Sequence, residues 1–97
     1  MFKQQLEFAA GALASGNLAA IEIVCRDILD VDPKNVSALN LLGVVAANIG
    51  AIDHAKSYIK AALRIEPGNQ RVRANLDLLK TGAKSLHPSE AMTAATG

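Results

Sequence analysis

Tryptophan is absent from this chain of 97 residues, and the aromatic side chains are only Phe2, Phe8 and Tyr58. So few rings provide no platform on which the bases of a single-stranded nucleic acid could stack. An excess of one charge is missing too. Ten basic and nine acidic residues give a net charge of +1, without the basic footprint of a nucleic-acid binder. The single Cys25 excludes an internal disulfide and is too little for a zinc site, a usage that suits a reducing compartment. No uncharged apolar run approaches the roughly 18 residues that a membrane-spanning helix requires. Glu7 interrupts LEFAAGALASG, the one N-terminal stretch that could mimic an export signal. A cytoplasmic chain with no membrane span and no nucleic-acid partner is expected.

What the chain does contain is aliphatic. Hydrophobic residues make up 51% of it, and with so few aromatics Ala, Leu, Ile and Val must fill the interior, a mix that favours close-packed helices over a sheet. The length suits one small domain. In LLGVVAANIG, residues 41–50, Asn48 is the only polar side chain. A helix apolar all round must be covered on most sides.

Internal similarity suggests by what. Displaced along itself by 34 residues, the chain pairs Ala12 with Ala46, Gly16 with Gly50, Leu29 with Leu63 and Pro33 with Pro67. Between these identities character is kept, as in Phe8 with Leu42, Ala9 with Gly43, Cys25 with Ile59 and Asp32 with Glu66. Gly16 and Gly50 stand where a helix ends in the left-handed conformation. Pro33 and Pro67 lack a backbone donor and bias Asp32 and Glu66 away from helical angles. Asn35 and Asn69 then serve as N-caps. This punctuation predicts helices over 3–14, 18–30, 36–48, 52–64 and 70–81.

These residues resemble the tetratricopeptide repeat, a 34-residue helix-turn-helix unit. VSALNLLGVVAANIGAIDHAKSYIKAALRIEPGN carries most of the family's signature: Leu39 in the place of its Trp, the pair Leu42-Gly43, Ala46, Ala55, Ile59, Ala62 and Pro67. The first unit departs from it with Gln5, Phe8-Ala9, Ile21 and Ile28, while Gly16 and the closing LDVDP agree. After Asn69 the pattern decays, with Asp77 for the packing glycine and Lys80 for a small apolar residue. That is what a solvating end helix looks like. The resemblance implies an all-α solenoid of antiparallel helix-turn-helix repeats, five helices in a right-handed superhelical stack. Its domain spans 1–82, with repeat one at 2–34, repeat two at 36–69 and a capping helix at 70–82.

In this family the first helices of successive repeats line a concave groove that holds peptides or helices of partner proteins. Carried over position by position, the groove takes Lys3, Leu6, Ala10, Leu13 and Ala14 from the first helix, and Ser37, Asn40, Val44, Ala47 and Asn48 from the third. Arg71, Ala74, Leu78 and Thr81 come from the last. Such a surface is mostly apolar with Asn40 in its middle, which suits an amphipathic helix. The family's carboxylate clamp is not expected, because Leu6 and Ala10 stand where a Lys and an Asn would be needed. The same apolar residues would equally serve as core beneath a closed or self-paired groove.

Lys56, Lys60 and Arg64 form a basic stripe, and one repeat earlier their places hold Glu22, Arg26 and Asp30. Stacked repeats would set Glu22 against Lys56 and Asp30 against Arg64. Residues 1–34 carry three bases and five acids, and residues 70–97 four bases and two acids, a polarity that could order head-to-tail stacking. No catalytic constellation is found. His54 and His87 lack metal-ligand spacing, and Asp53 and His54 are helical neighbours that point apart. Cys25 falls on an inward face, where packing is expected rather than nucleophilic chemistry. Gly11 to Gly16 has phosphate-loop spacing but continues as Asn17-Leu18, not Lys-Ser/Thr.

Residues 83–97, AKSLHPSEAMTAATG, show no apolar period and read as a disordered tail or linker. The expectation is a non-enzymatic module with no cofactor, binding a protein or peptide partner in its groove. The alternatives are self-association through the same surfaces, or the recognition arm of a larger enzyme such as a glycosyl- or sulfotransferase.

Overall fold

A computed structural model describes residues 2–81, all of whose regular structure is helical: α1 Lys3–Ala14, α2 Leu18–Val31, α3 Val36–Asn48, α4 Ile52–Ile65 and α5 Gln70–Lys80. The expected tail and the end of the expected capping helix lie outside the described residues. α2 and α4 run one residue further than the sequence suggests, because the restriction imposed by each proline falls on the residue directly before it. Asp32 (φ −132°, ψ 83°) and Glu66 (φ −128°, ψ 79°) are the residues that leave the helix.

The connections repeat. Gly16 (φ 79°) and Gly50 (φ 81°) close α1 and α3 in the left-handed region. Around Gly16 the amides of Gly16 and Asn17 donate to the carbonyls of Leu13 (3.1 Å) and Ala12 (2.8 Å); around Gly50 those of Gly50 and Ala51 donate to Ala47 (3.1 Å) and Ala46 (2.8 Å). This is the paired bonding of a Schellman motif, which satisfies the last carbonyls of a helix. At the other turns the Asn35 and Asn69 amides donate to the carbonyls of Asp32 and Glu66, both at 3.1 Å. Their side-chain oxygens accept from Ala38 N (2.9 Å) and Val72 N (3.1 Å), so both asparagines cap the helices they precede. Asn17 caps α2 in the same way, accepting from Ala20 N at 3.3 Å.

Each helix packs chiefly on those before and after it in sequence, α3 on α4 most extensively. Eleven of the thirteen residues of α3 are buried. One of its sides joins Ala9, Ala12, Ile21, Cys25 and Ile28 of the first hairpin through Ala38, Leu41, Leu42 and Val45. The other joins Ala55, Ile59 and Ala62 of α4 and Val72 and Leu79 of α5 through Val36, Leu39, Val44, Ala46 and Ala47. Coverage from both sides is what allows LLGVVAANIG to be apolar all round.

α3 and α4 approach closely at Gly43. A Cβ placed there would lie 2.6 Å from Ile59 Cδ1, 2.9 Å from Ile59 Cγ1 and 3.5 Å from the Ala55 carbonyl oxygen. At the corresponding places of the first hairpin stand Ala9 and Cys25, both fully buried. One side chain gains a methyl where its partner is shorter.

The charges settle differently from the expectation. Glu22 accepts a hydrogen bond from Arg26 Nε at 3.1 Å within α2, and neither Glu22–Lys56 nor Asp30–Arg64 is an ion pair among the described residues. A partner one turn along the same helix is already in reach. Among the described residues no helix is long and apolar enough to cross a membrane.

Gly43→Ala tests the helix contact. Overpacking against the buried Ile59 costs about 1–3 kcal/mol against a helix-propensity gain of about 1 kcal/mol. The urea midpoint is expected to fall, and Ile59→Val to restore part of the loss. An unchanged or higher midpoint for Gly43→Ala would show that the contact is slack.

Candidate functional site

The positions expected to line a groove divide by depth. Lys3, Ala14, Asn48, Arg71 and Thr81 are exposed, and Leu6, Leu13, Ser37, Ala74 and Leu78 are half-buried. Ala10, Asn40, Val44 and Ala47 are at most 5% exposed. In this conformation those four offer almost no surface to a partner, so the expected groove has its rim open and its floor covered.

On the α3 part of the floor α5 is a neighbour. Val72 and Leu79 enter the same core cluster as Val44 and Ala47. Between them on α5, the fully buried Asn75 donates from Nδ2 to Asn40 Oδ1 at 2.8 Å. Asn40, expected to meet a partner from the middle of the groove, instead meets another helix of its own chain. Asn75 was not among the expected site residues. The sequence does hold a signal for it, since an Asn three residues after Val72 and four before Leu79 falls on the apolar stripe of its helix. Asn48, although exposed, donates to its own helix at the Val44 carbonyl (2.9 Å).

The seam between α3 and α5 opens at one end into a cleft of about 370 Å³. Ser37, Asn40 and Arg71 line it, so the structure does bring these three expected residues together. Its walls are polar rather than apolar: Asp32, Lys34 and Glu66 stand beside them. Both carboxylates are engaged, Asp32 Oδ2 accepting from Asn35 Nδ2 (3.4 Å) and Glu66 Oε1 from Asn69 Nδ2 (3.1 Å).

Elsewhere, a cleft of about 210 Å³ has Leu42, Val45 and Ala46 along its lining and Glu22, Arg26, His54 and Tyr58 beside them. The hydrogen bond to Glu22 holds the Arg26 guanidinium above its ordinary pKa, with the nearby Tyr58 adding to the effect. Ile49 stands beside this cleft, 66% exposed. Of the large apolar side chains exposed among the described residues, Phe8 (59%), Ile23 (63%) and Val31 (65%) belong to the first hairpin, and Ile49 and Ile65 to the second.

Cys25 is fully buried, and desolvation of its thiolate raises the thiol from 9.0 to about 12. At neutral pH it is a protonated packing group. Among the described residues no three His, Cys, Asp or Glu side chains gather to hold a metal ion.

No protein-family model matches this chain, and no solved structure gives a significant match to it.

Two measurements follow from the buried groups. Asn75→Leu removes the donor to Asn40 and is expected to cost about 1–3 kcal/mol. Adding Asn40→Leu should recover part of that, giving a coupling of about 0.5–3 kcal/mol in a double-mutant cycle; strict additivity would mean the bond does not hold the helices together. For Cys25, the folded state binds the thiol proton more tightly than the unfolded state. Its contribution is therefore complete below pH 9.0 and is lost as the pH rises towards about 12. Over that window wild type should lose stability relative to Cys25→Ala; parallel pH profiles would contradict the burial of the thiol.

Proposed function

We propose that this chain is a non-catalytic, helix-binding module, a tetratricopeptide-like stack of two hairpins and an end helix that accepts an amphipathic segment of a partner protein. The observation that supports the reading is the half-burial of the apolar positions expected to line the groove. Leu13 of α1 and Leu78 of α5 both pack, half-buried, against the cluster that contains Val44 and Ala47 of α3. Leu6 and Ala74 are half-buried as well, and Lys3 and Arg71 supply exposed charge. An apolar strip with charged margins fits a helix that presents anchors every three to four residues.

A second reading, self-association, is favoured by a different observation. Phe8 of the first hairpin corresponds to Leu42 of the second, and Leu42, which packs with the first hairpin, is only 3% exposed while Phe8 is 59% exposed. The outward side of α1 and α2 presents what a neighbouring hairpin covers in the middle of the chain, and a second copy could cover it.

Peptides selected for binding from a library of amphipathic helices test the first reading. Leu6→Glu and Leu13→Glu, each with unchanged helicity, should weaken them about tenfold. Undiminished affinity in both folded variants would remove the face from consideration. Sedimentation over a range of concentrations, with Phe8→Glu as the comparison, decides the second.

A further inference from the structure

α5 buries three residues, Val72, Asn75 and Leu79, as many as α1, α2 and α4 each do, but one of its three is an amide. Its far side, Arg73, Asp77 and Lys80, is exposed, so it is covered from one side where α3 is covered from two. Its packing on α4 is the least extensive between consecutive helices. The cleft of about 370 Å³ already opens the seam, with Asn40 on one wall and Val72 on the other. An isolated helix of eleven residues is marginal in water, so detachment of α5 is coupled to its melting. Local opening is drawn from the segments with the fewest buried contacts.

α5 shares its core cluster with Val36, Val44 and Ala47 of α3 and with Ala55, Ile59 and Ala62 of α4, and it meets the buried Asn40 of α3 through a polar contact. Asn40 Oδ1 receives its hydrogen bond from a carboxamide at 2.8 Å. A helix with a hydrocarbon at that register would bury this oxygen without the donor α5 supplies, a loss that an Asn or Gln avoids.

Building on the helix-binding reading, we propose that α5 is a displaceable lid over Asn40, Val44 and Ala47 of the partner site, and that its own Arg71, Ala74 and Leu78 leave the site when the lid opens. The site recognises an amphipathic helix bearing an aliphatic residue, a carboxamide three residues later and a second aliphatic residue four residues beyond that. α5 itself supplies this pattern as Val72, Asn75 and Leu79. Because α5 is tethered by a short turn, it competes at an effective concentration of order millimolar. Binding in trans is weak while α5 is docked and strengthens as α5 is loosened, in proportion to the open fraction.

The probe is a fluorescein-labelled peptide of residues 69–81, titrated into the full chain and into the full-chain variant Val72→Ala, Leu79→Ala. The variant is expected to bind it about tenfold more tightly or better, and the Asn75→Leu peptide to bind both chains about tenfold more weakly. Native-state hydrogen exchange of the unaltered chain should show α5 amides opening before those of α3 and α4. The same experiment on the variant must show α3 and α4 still protected. If the variant fails that control, exchange of the unaltered chain decides alone. Equal peptide affinity for both folded chains, or α5 protected as strongly as α3, overturns the proposal. Library-selected helices that remain sensitive to Leu13→Glu while α5 stays protected would sustain the broader reading and sink this one.

Discussion

Everything in this chain is arranged around how closely α3 and α4 approach. With no side chain at Gly43, the Ile59 side chain fits against the α3 backbone, where a single Cβ would come within 2.6 Å of its end. Ala55 and Ala62, also fully buried, are one turn to either side of Ile59 on α4. Small residues on both helices let dispersion act over many atom pairs at once, each contributing little by itself. The first hairpin meets the same constraint with Ala9 and Cys25, a larger residue on one helix matched by a smaller one on the other. Volume, rather than residue identity, is what the two halves share.

Close approach makes α3 a shared wall. Its two sides feed two core clusters, so the outer helices hold to each other largely through it. This is also why the buried amide pair lies where it does. A helix enclosed on both sides has no solvent in which to place Asn40, and Asn75 meets it across the seam. A buried polar pair of this kind adds less to stability than to register, because a slip of α5 by one residue would move the amide away from its acceptor.

The helix boundaries were legible because their causes are local. A glycine at positive φ, a proline two residues before a capping asparagine, and the asparagine itself act within a few residues of where they stand, and α2, α3, α4 and α5 begin where this punctuation places them. Depth was less legible. Whether Asn40 faces a partner or another helix depends on the placement of α5, whose contacting residue is 35 positions away. Nothing within α3 announces it. The proposed Glu22–Lys56 pairing failed for a related reason: spacing in sequence identifies possible neighbours, but Arg26 was nearer in space.

That each helix packs chiefly on its neighbours in the chain also bears on how the molecule is made. Few contacts wait for distant segments to meet, so little loop-closure entropy stands between the extended chain and its native topology, and such low contact order goes with rapid folding. The first hairpin has its own cluster of aliphatic contacts to form as soon as α3 has left the ribosome, and the Asn40–Asn75 bond can be left until last.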